Sequence, residues 1–146
     1  MNFDLEEFNK ELETSKLLRK KINCNFDSAQ KSKIIKIFEK ARENLIIVEG
    51  KKDLLALREL GFKNIFIINE TGKSLGEKIE EIEEKAGKIK ITILTDFDKK
   101  GKKLYLKLKS ELSTRKVKLD NSFRGILLKL KISHIEGLSA YIKNAK

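Results

Sequence analysis

Ile91-Thr92-Ile93-Leu94-Thr95-Asp96-Phe97-Asp98 is a short run rich in isoleucine and threonine that ends on two carboxylates. Earlier in the chain, Ile46-Ile47-Val48-Glu49-Gly50 is wholly apolar until it ends on one. Neither run alternates strictly between polar and apolar residues, which is the pattern of a strand covered on both faces. Asn44 to Glu49, Asn64 to Asn69 and Ile89 to Thr95 share this character and predict three such strands. In an open parallel sheet ligands gather beyond the carboxyl ends of the strands, and Glu49, Asp96 and Asp98 would meet there.

The segments between these runs carry helical spacing. Leu54, Leu55, Leu57 and Leu60 mark one helix, with Gly61 as its stop. Ser74 or Thr71 caps a second, through Leu75, Ile79 and Ile82, and Gly87 ends it. Leu104, Leu108 and Leu112 step by four after Asp98 and mark a third, after which Arg115 to Leu119 reads as a fourth strand. Strand and helix in alternation imply right-handed crossovers, hence an α/β fold with a four-stranded parallel sheet flanked by helices. That domain occupies residues 43–120. Residues 1–42 form a helical N-terminal extension, with Leu5, Phe8 and Leu12 in one helix and Ile34, Ile35, Phe38 and Ala41 in the next. This extension covers the sheet, feeds substrate to the site or pairs two copies into a homodimer. Residues 121–146 hold two short helices, Ser122 to Leu130 and Ser133 to Lys143, each with a serine as its cap, packing on the same core.

With 146 residues, 40% of them hydrophobic, the chain has one ordinary core. No apolar stretch approaches the roughly 20 residues of a membrane helix. The opening Asp4, Glu6 and Glu7 are unlike a secretion leader, so a cytoplasmic protein is expected. A lone Cys24, read as a buried or neutral thiol, excludes an intrachain disulfide and a cysteine zinc cluster. His134 is the only histidine, which removes histidine metal clusters and a Ser-His-Asp triad and leaves a helix-start residue. A proline-free chain rich in Lys, Glu and Ile has the composition of a hyperthermophile or of an AT-rich genome. Lys and Arg number 33 against 22 Asp and Glu, and the net charge of +11 favours a polyanionic partner. From Lys99 to Lys118 there are nine basic residues and only Glu111 against them. A solvated helix face explains such a run, but its start directly behind the acidic pair favours phosphate contacts.

Asp96 and Asp98 are two apart, so in extended backbone both side chains point the same way, and a hard divalent cation can be held by one or both. Phe97 between them points into the sheet's packing. Glu49 comes from another strand and would add a ligand or move a proton. The competing structural reading is that each acid caps the positive end of the helix behind it. Phe26, Phe38, Phe62 and Phe66 read as core rather than as base-stacking platforms. Three other motifs fail. Gly72-Lys73-Ser74 ends like a Walker loop, but the required first glycine falls at Ile67. Asp96-x-Asp98-x-x-Gly101 begins like a calcium loop, yet Lys100 and Lys107 stand where acidic ligands belong. A haloacid-dehalogenase-type phosphatase would carry its Asp-x-Asp on the first strand.

Val48-Glu49-Gly50-Lys51-Lys52-Asp53, followed after two more strands by Thr95-Asp96-Phe97-Asp98-Lys99-Lys100-Gly101, resembles the Toprim domain. That Rossmann-like domain is shared by topoisomerases, bacterial-type primases, old-family nucleases, recombination mediators and the maturase of 5S ribosomal RNA. Asn69-Glu70-Thr71-Gly72 falls where the family has its loop after the second strand. The stand-alone arrangement is most similar to small archaeal Toprim-like proteins and to the 5S ribosomal RNA maturase, with faint likeness also in residues 119–124 and 134–138. The resemblance implies Mg²⁺- or Mn²⁺-dependent phosphoryl transfer on RNA or DNA. Asp96 and Asp98 would hold the ion, Glu49 would coordinate it or act as acid and base, and Lys51, Lys52, Lys99, Lys100, Lys102 and Lys103 would contact phosphates. Strand passage is not expected, because only Tyr105 and Tyr141 are present and there is no gate domain. Primase and mediator modules are also missing. A small nuclease remains, against a non-catalytic nucleic-acid-binding or scaffold module in a ribosome-associated or repair assembly. Hydrolysis of small phosphoesters is a third reading.

Overall fold

The computed structural model describes residues 4–22, 26–70 and 72–143. The readings of Cys24 as a thiol and of Thr71 as a cap lie outside them. Two helices, α1 (Leu5–Ile22) and α2 (Ser28–Ala41), lead into strand β1 (Leu45–Val48). There follow α3 (Lys51–Glu59), β2 (Ile65–Ile67), α4 (Leu75–Ala86), β3 (Ile91–Ile93), α5 (Lys99–Thr114), α6 (Ser122–Lys129) and α7 (Ile135–Lys143). The strands are parallel in the order β2-β1-β3, with Ile46 beside Ile65 and Thr92.

β1 lies in the middle and is buried along its whole length, which accounts for its unbroken apolar character. Its residues alternate between two cores. Leu45 and Ile47 join Ile79 and Ile82 of α4 and Leu108 and Leu112 of α5 on one face. Ile46 and Val48 join residues of α1, α2, α3, α6 and α7 on the other, where Phe38, Phe62 and Phe123 pack with ring centres 5.2–5.4 Å apart. Phe38, Phe62 and Phe66 are thus buried, as expected of core residues. Ser74 caps α4 by accepting from the Glu77 amide, and Gly87, at φ 56°, ends that helix.

Two expectations are corrected. The fourth strand is reduced to one parallel bridge between Ile91 and Leu119, with hydrogen bonds from the Ile91 amide to the Lys118 carbonyl and from the Asp120 amide to the Ile91 carbonyl. The cause is local: Lys116 takes a left-handed conformation at φ 61° directly after α5, so little extended chain is left before Asp120 turns into α6. Nor does Ser122 cap α6. Asn121 holds that position without a side-chain bond, and Asp120 Oδ1 takes the Ser122 amide instead.

Candidate metal centre

The carboxyl ends of β1 and β3 lie side by side, so the turns that leave them share one edge of the sheet. Glu49 follows β1 directly. It reaches across the strand pair, and its Oε2 accepts the Asp96 amide at 2.7 Å. Glu49 and Asp96, 47 residues apart, are therefore in contact. Asp98 is the N-cap of α5, with Oδ1 on the Gly101 amide at 2.7 Å. The capping reading thus holds for Asp98; at α3 the cap is Gly50, not Glu49. As the side chains stand, no three acidic, histidine or cysteine groups among the described residues are drawn together tightly enough to enclose an ion. Two of the three acids are occupied by backbone amides.

Asp96 differs from them. Its Oδ1 is buried and has no hydrogen-bond partner, a costly state for a carboxylate. Burial, then the charges of Glu49, Asp53 and Asp98, push its carboxyl up to about 6, while His134 works the other way. An orphaned carboxylate oxygen that feels the charge of further carboxylates, though not yet gathered with them into one cluster, is the donor chemistry a hard divalent cation takes. The residues present fit such an ion.

Three residues around this edge escaped the sequence reading as parts of it. Asp53 lies one turn beyond Glu49 and accepts the Gly50 amide at 3.1 Å; burial raises its pKa, and Glu49 and Glu136 add to the rise. A positive charge on His134 would lower the pKa of both Asp53 and Asp96. It comes near because the Phe97 amide donates to the Ser133 carbonyl at 3.0 Å, tying the acidic loop to the turn before α7. Arg124, 5% exposed, donates through Nη1 to the carbonyls of Thr95 at 2.7 Å and Ile93 at 3.3 Å. Its guanidinium lies 4.3 Å from the ring centre of Phe97 and 4.1 Å from that of Tyr105. It fixes the backbone that presents Asp96. Only the spacing of Asp53 from Glu49, one helical turn, was visible in the sequence; Arg124 and His134 carried no comparable signal.

Gly101 closes the loop from the other side. The Thr95 hydroxyl donates to the Gly101 carbonyl at 2.8 Å, and a Cβ on Gly101 would stand 2.1 Å from the Asp96 carbonyl oxygen. Only glycine lets α5 start this close to the acid. Lys51 and Lys52 open α3, Lys99, Lys100, Lys102 and Lys103 open α5, and all six are exposed.

A three-stranded parallel sheet with acids gathered beyond its carboxyl edge defines an α/β protein of the doubly covered kind with an acidic edge site. The Toprim domain model matches residues 43–121, and the chain belongs to the Toprim family. Its relatives include the UPF0292 protein of the archaeon Thermococcus sibiricus, 36% identical over 105 residues, covering 70% of this chain and 79% of that one. The UPF0292 protein of Methanocaldococcus jannaschii is 33% identical over 118 residues, 75% of this chain and 90% of that one. A solved structure from Aquifex aeolicus aligns with a TM-score of 0.60 at 34% identity, over 72% of this chain and 94% of that one. The likeness to small archaeal Toprim-like proteins is borne out, and Toprim domains as a class are metal-binding modules of proteins that handle nucleic acid. No helix among the described residues is long and apolar enough to cross a membrane.

Proposed function

We propose that this protein is a small metal-dependent nuclease acting on RNA or DNA, with Asp96 and Asp98 holding Mg²⁺ or Mn²⁺ and Glu49 as ligand or proton carrier. The observation that carries the reading is Asp96 Oδ1, a buried carboxylate oxygen without a partner, at an edge where burial and neighbouring acids press the carboxyl toward its neutral form. When bound, the ion supplies positive charge to the phosphate oxygens and lowers the pKa of water. The chain's own residues do the rest. Exposed Lys51, Lys52, Lys99, Lys100, Lys102 and Lys103 hold backbone phosphates by charge, without reading sequence. Glu49, aimed by the Asp96 amide, takes the proton of the attacking water. The water oxygen bonds to phosphorus as the bridging P–O bond breaks, and the departing oxygen receives a proton. Arg124 and Gly101 hold the Asp96 backbone in place throughout.

The second reading, a binding module that retained the acids, is favoured by Asp98, which already serves as a helix cap. Incubation with labelled structured RNA and single-stranded DNA in Mn²⁺ separates the two. Cleavage that EDTA stops and Asp96→Asn abolishes, with nucleic-acid binding intact, is the expected result. Binding indifferent to EDTA, with no substrate cut, would establish the module instead. Turnover of a phosphomonoester that nucleic acid does not compete away would move the substrate class to small phosphoesters.

A further inference from the structure

At the opposite edge of the sheet, by the amino ends of β1 and β3, a cleft of about 830 Å³ opens between α2 and the segment that enters α6. Lys33, Lys36 and Lys40 line it from α2 and Lys90 from the residue before β3. The three helix lysines are spaced by three and four, so one face of α2 presents them all to the cleft. All four are exposed, and none forms an ion pair with a described residue. Like charges at this spacing destabilise a helix, so such a face runs against folding unless something neutralises it.

Among the described residues Asp120 is the only carboxylate lining the cleft, and it is already engaged. Its Oδ2 accepts the buried Asn44 amide at 3.2 Å and its Oδ1 the Ser122 amide at 3.0 Å. Four cations against one committed anion leave the cleft strongly positive. Its remaining lining is aliphatic or small and polar, and among the described residues no aromatic side chain lines it to stack a base. That composition suits phosphates and offers no stacking platform to a nucleobase.

We infer that this lysine cleft binds the phosphodiester backbone of a nucleic acid, as a second contact surface separate from the acidic edge. From Asn44 to Glu49 the chain runs the length of β1, roughly 17 Å at about 3.3 Å per residue. A strand touching both edges is engaged over several nucleotides, and the cleft anchors the part of the substrate remote from the acids. The assignment rests on the nucleic-acid reading above but not on cleavage, because the cleft requires no metal.

The test is binding of a labelled RNA hairpin and a duplex DNA in EDTA, measured between about 50 and 200 mM salt. The triple variant Lys33→Gln/Lys36→Gln/Lys40→Gln should lose about tenfold or more in affinity at the low-salt end. Its slope of log affinity on log salt should be shallower by about 3, one for each lost phosphate contact. Its melting temperature should be no lower than that of the wild type, since the three residues are exposed and their mutual repulsion is removed, and its Mn²⁺ affinity should be kept because the acids lie at the other edge. Inorganic tripolyphosphate should compete with nucleic acid on the wild type and far less on the variant. If wild type and variant bind with equal affinity and slope, the cleft is overturned while the nucleic-acid reading stands. If the wild type binds tripolyphosphate through these lysines but no nucleic acid, both are overturned and the cleft is a site for free polyphosphates.

Discussion

Burial and three neighbouring carboxylates act on Asp96 in the same direction and hold its carboxyl at about 6, above its ordinary 3.8. A group raised in the folded state contributes stability that is complete below the unfolded value and disappears as pH climbs through the folded one. In EDTA, therefore, ionising Asp96 should weaken the fold between about pH 4 and 7. Asp96→Asn removes that penalty, so its melting temperature should gain on the wild type as pH rises from 5 to 8. A difference between the two proteins that stays constant across this range would mean that Asp96 carries no such burden. Asp53 shifts the same way and Asp120 the opposite way, so the comparison with the variant, rather than the wild-type profile alone, isolates Asp96. Glu49, Asp96 and Asp98 were legible in the chain because each follows an apolar run. The orphaned oxygen was not, since the contacts that set the Asp96 backbone come from Gly101 and from Arg124 on the Thr95 carbonyl, 5 and 28 positions beyond Asp96.

At the scale of elements, Asp98 combines two tasks that a pair of substitutions can separate. As the N-cap of α5 it satisfies the Gly101 amide, and as an acid it is the proposed partner of Asp96 for the ion. Asparagine caps nearly as well as aspartate, whereas alanine costs about 1 kcal/mol. Asp98→Ala should therefore lose about 1 kcal/mol in chemical denaturation, Asp98→Asn only a few tenths, and both should lose Mn²⁺ affinity. Unchanged Mn²⁺ affinity in Asp98→Asn would leave the residue as a cap alone. The helices were readable from period alone: Leu104, Leu108 and Leu112 face the sheet as their spacing predicts, the latter two fully buried. Arg115 to Leu119 misled because Val117 and Leu119 alternate as a strand would, while nothing in the composition signals that Lys116 turns left-handed. The resulting bridge to Ile91 is all that survives of the fourth strand.

Across the whole molecule, the acidic edge draws on distant parts of the chain: the ends of β1 and β3, the start of α3, the turn before α7, and Arg124 of α6. A cation gathering these carboxylates would consequently stabilise the entire fold rather than one loop, because unfolding disperses every ligand. At a concentration 100 times its dissociation constant, a ligand specific to the native state adds about 2.7 kcal/mol. For a chain of this size that raises the melting temperature by roughly 5–10 °C. Screening must be separated from binding, since a protein of net charge +11 gains stability from any salt that mutes its self-repulsion. Mn²⁺ should accordingly shift the wild type well beyond potassium chloride of matched ionic strength. The same addition should leave Asp96→Asn at the potassium chloride value, and Asp120→Asn, altered at the opposite edge, should keep the full Mn²⁺ shift. Equal shifts with both salts, or an undiminished one in Asp96→Asn, would mean that the cation acts on the general charge and not on this edge.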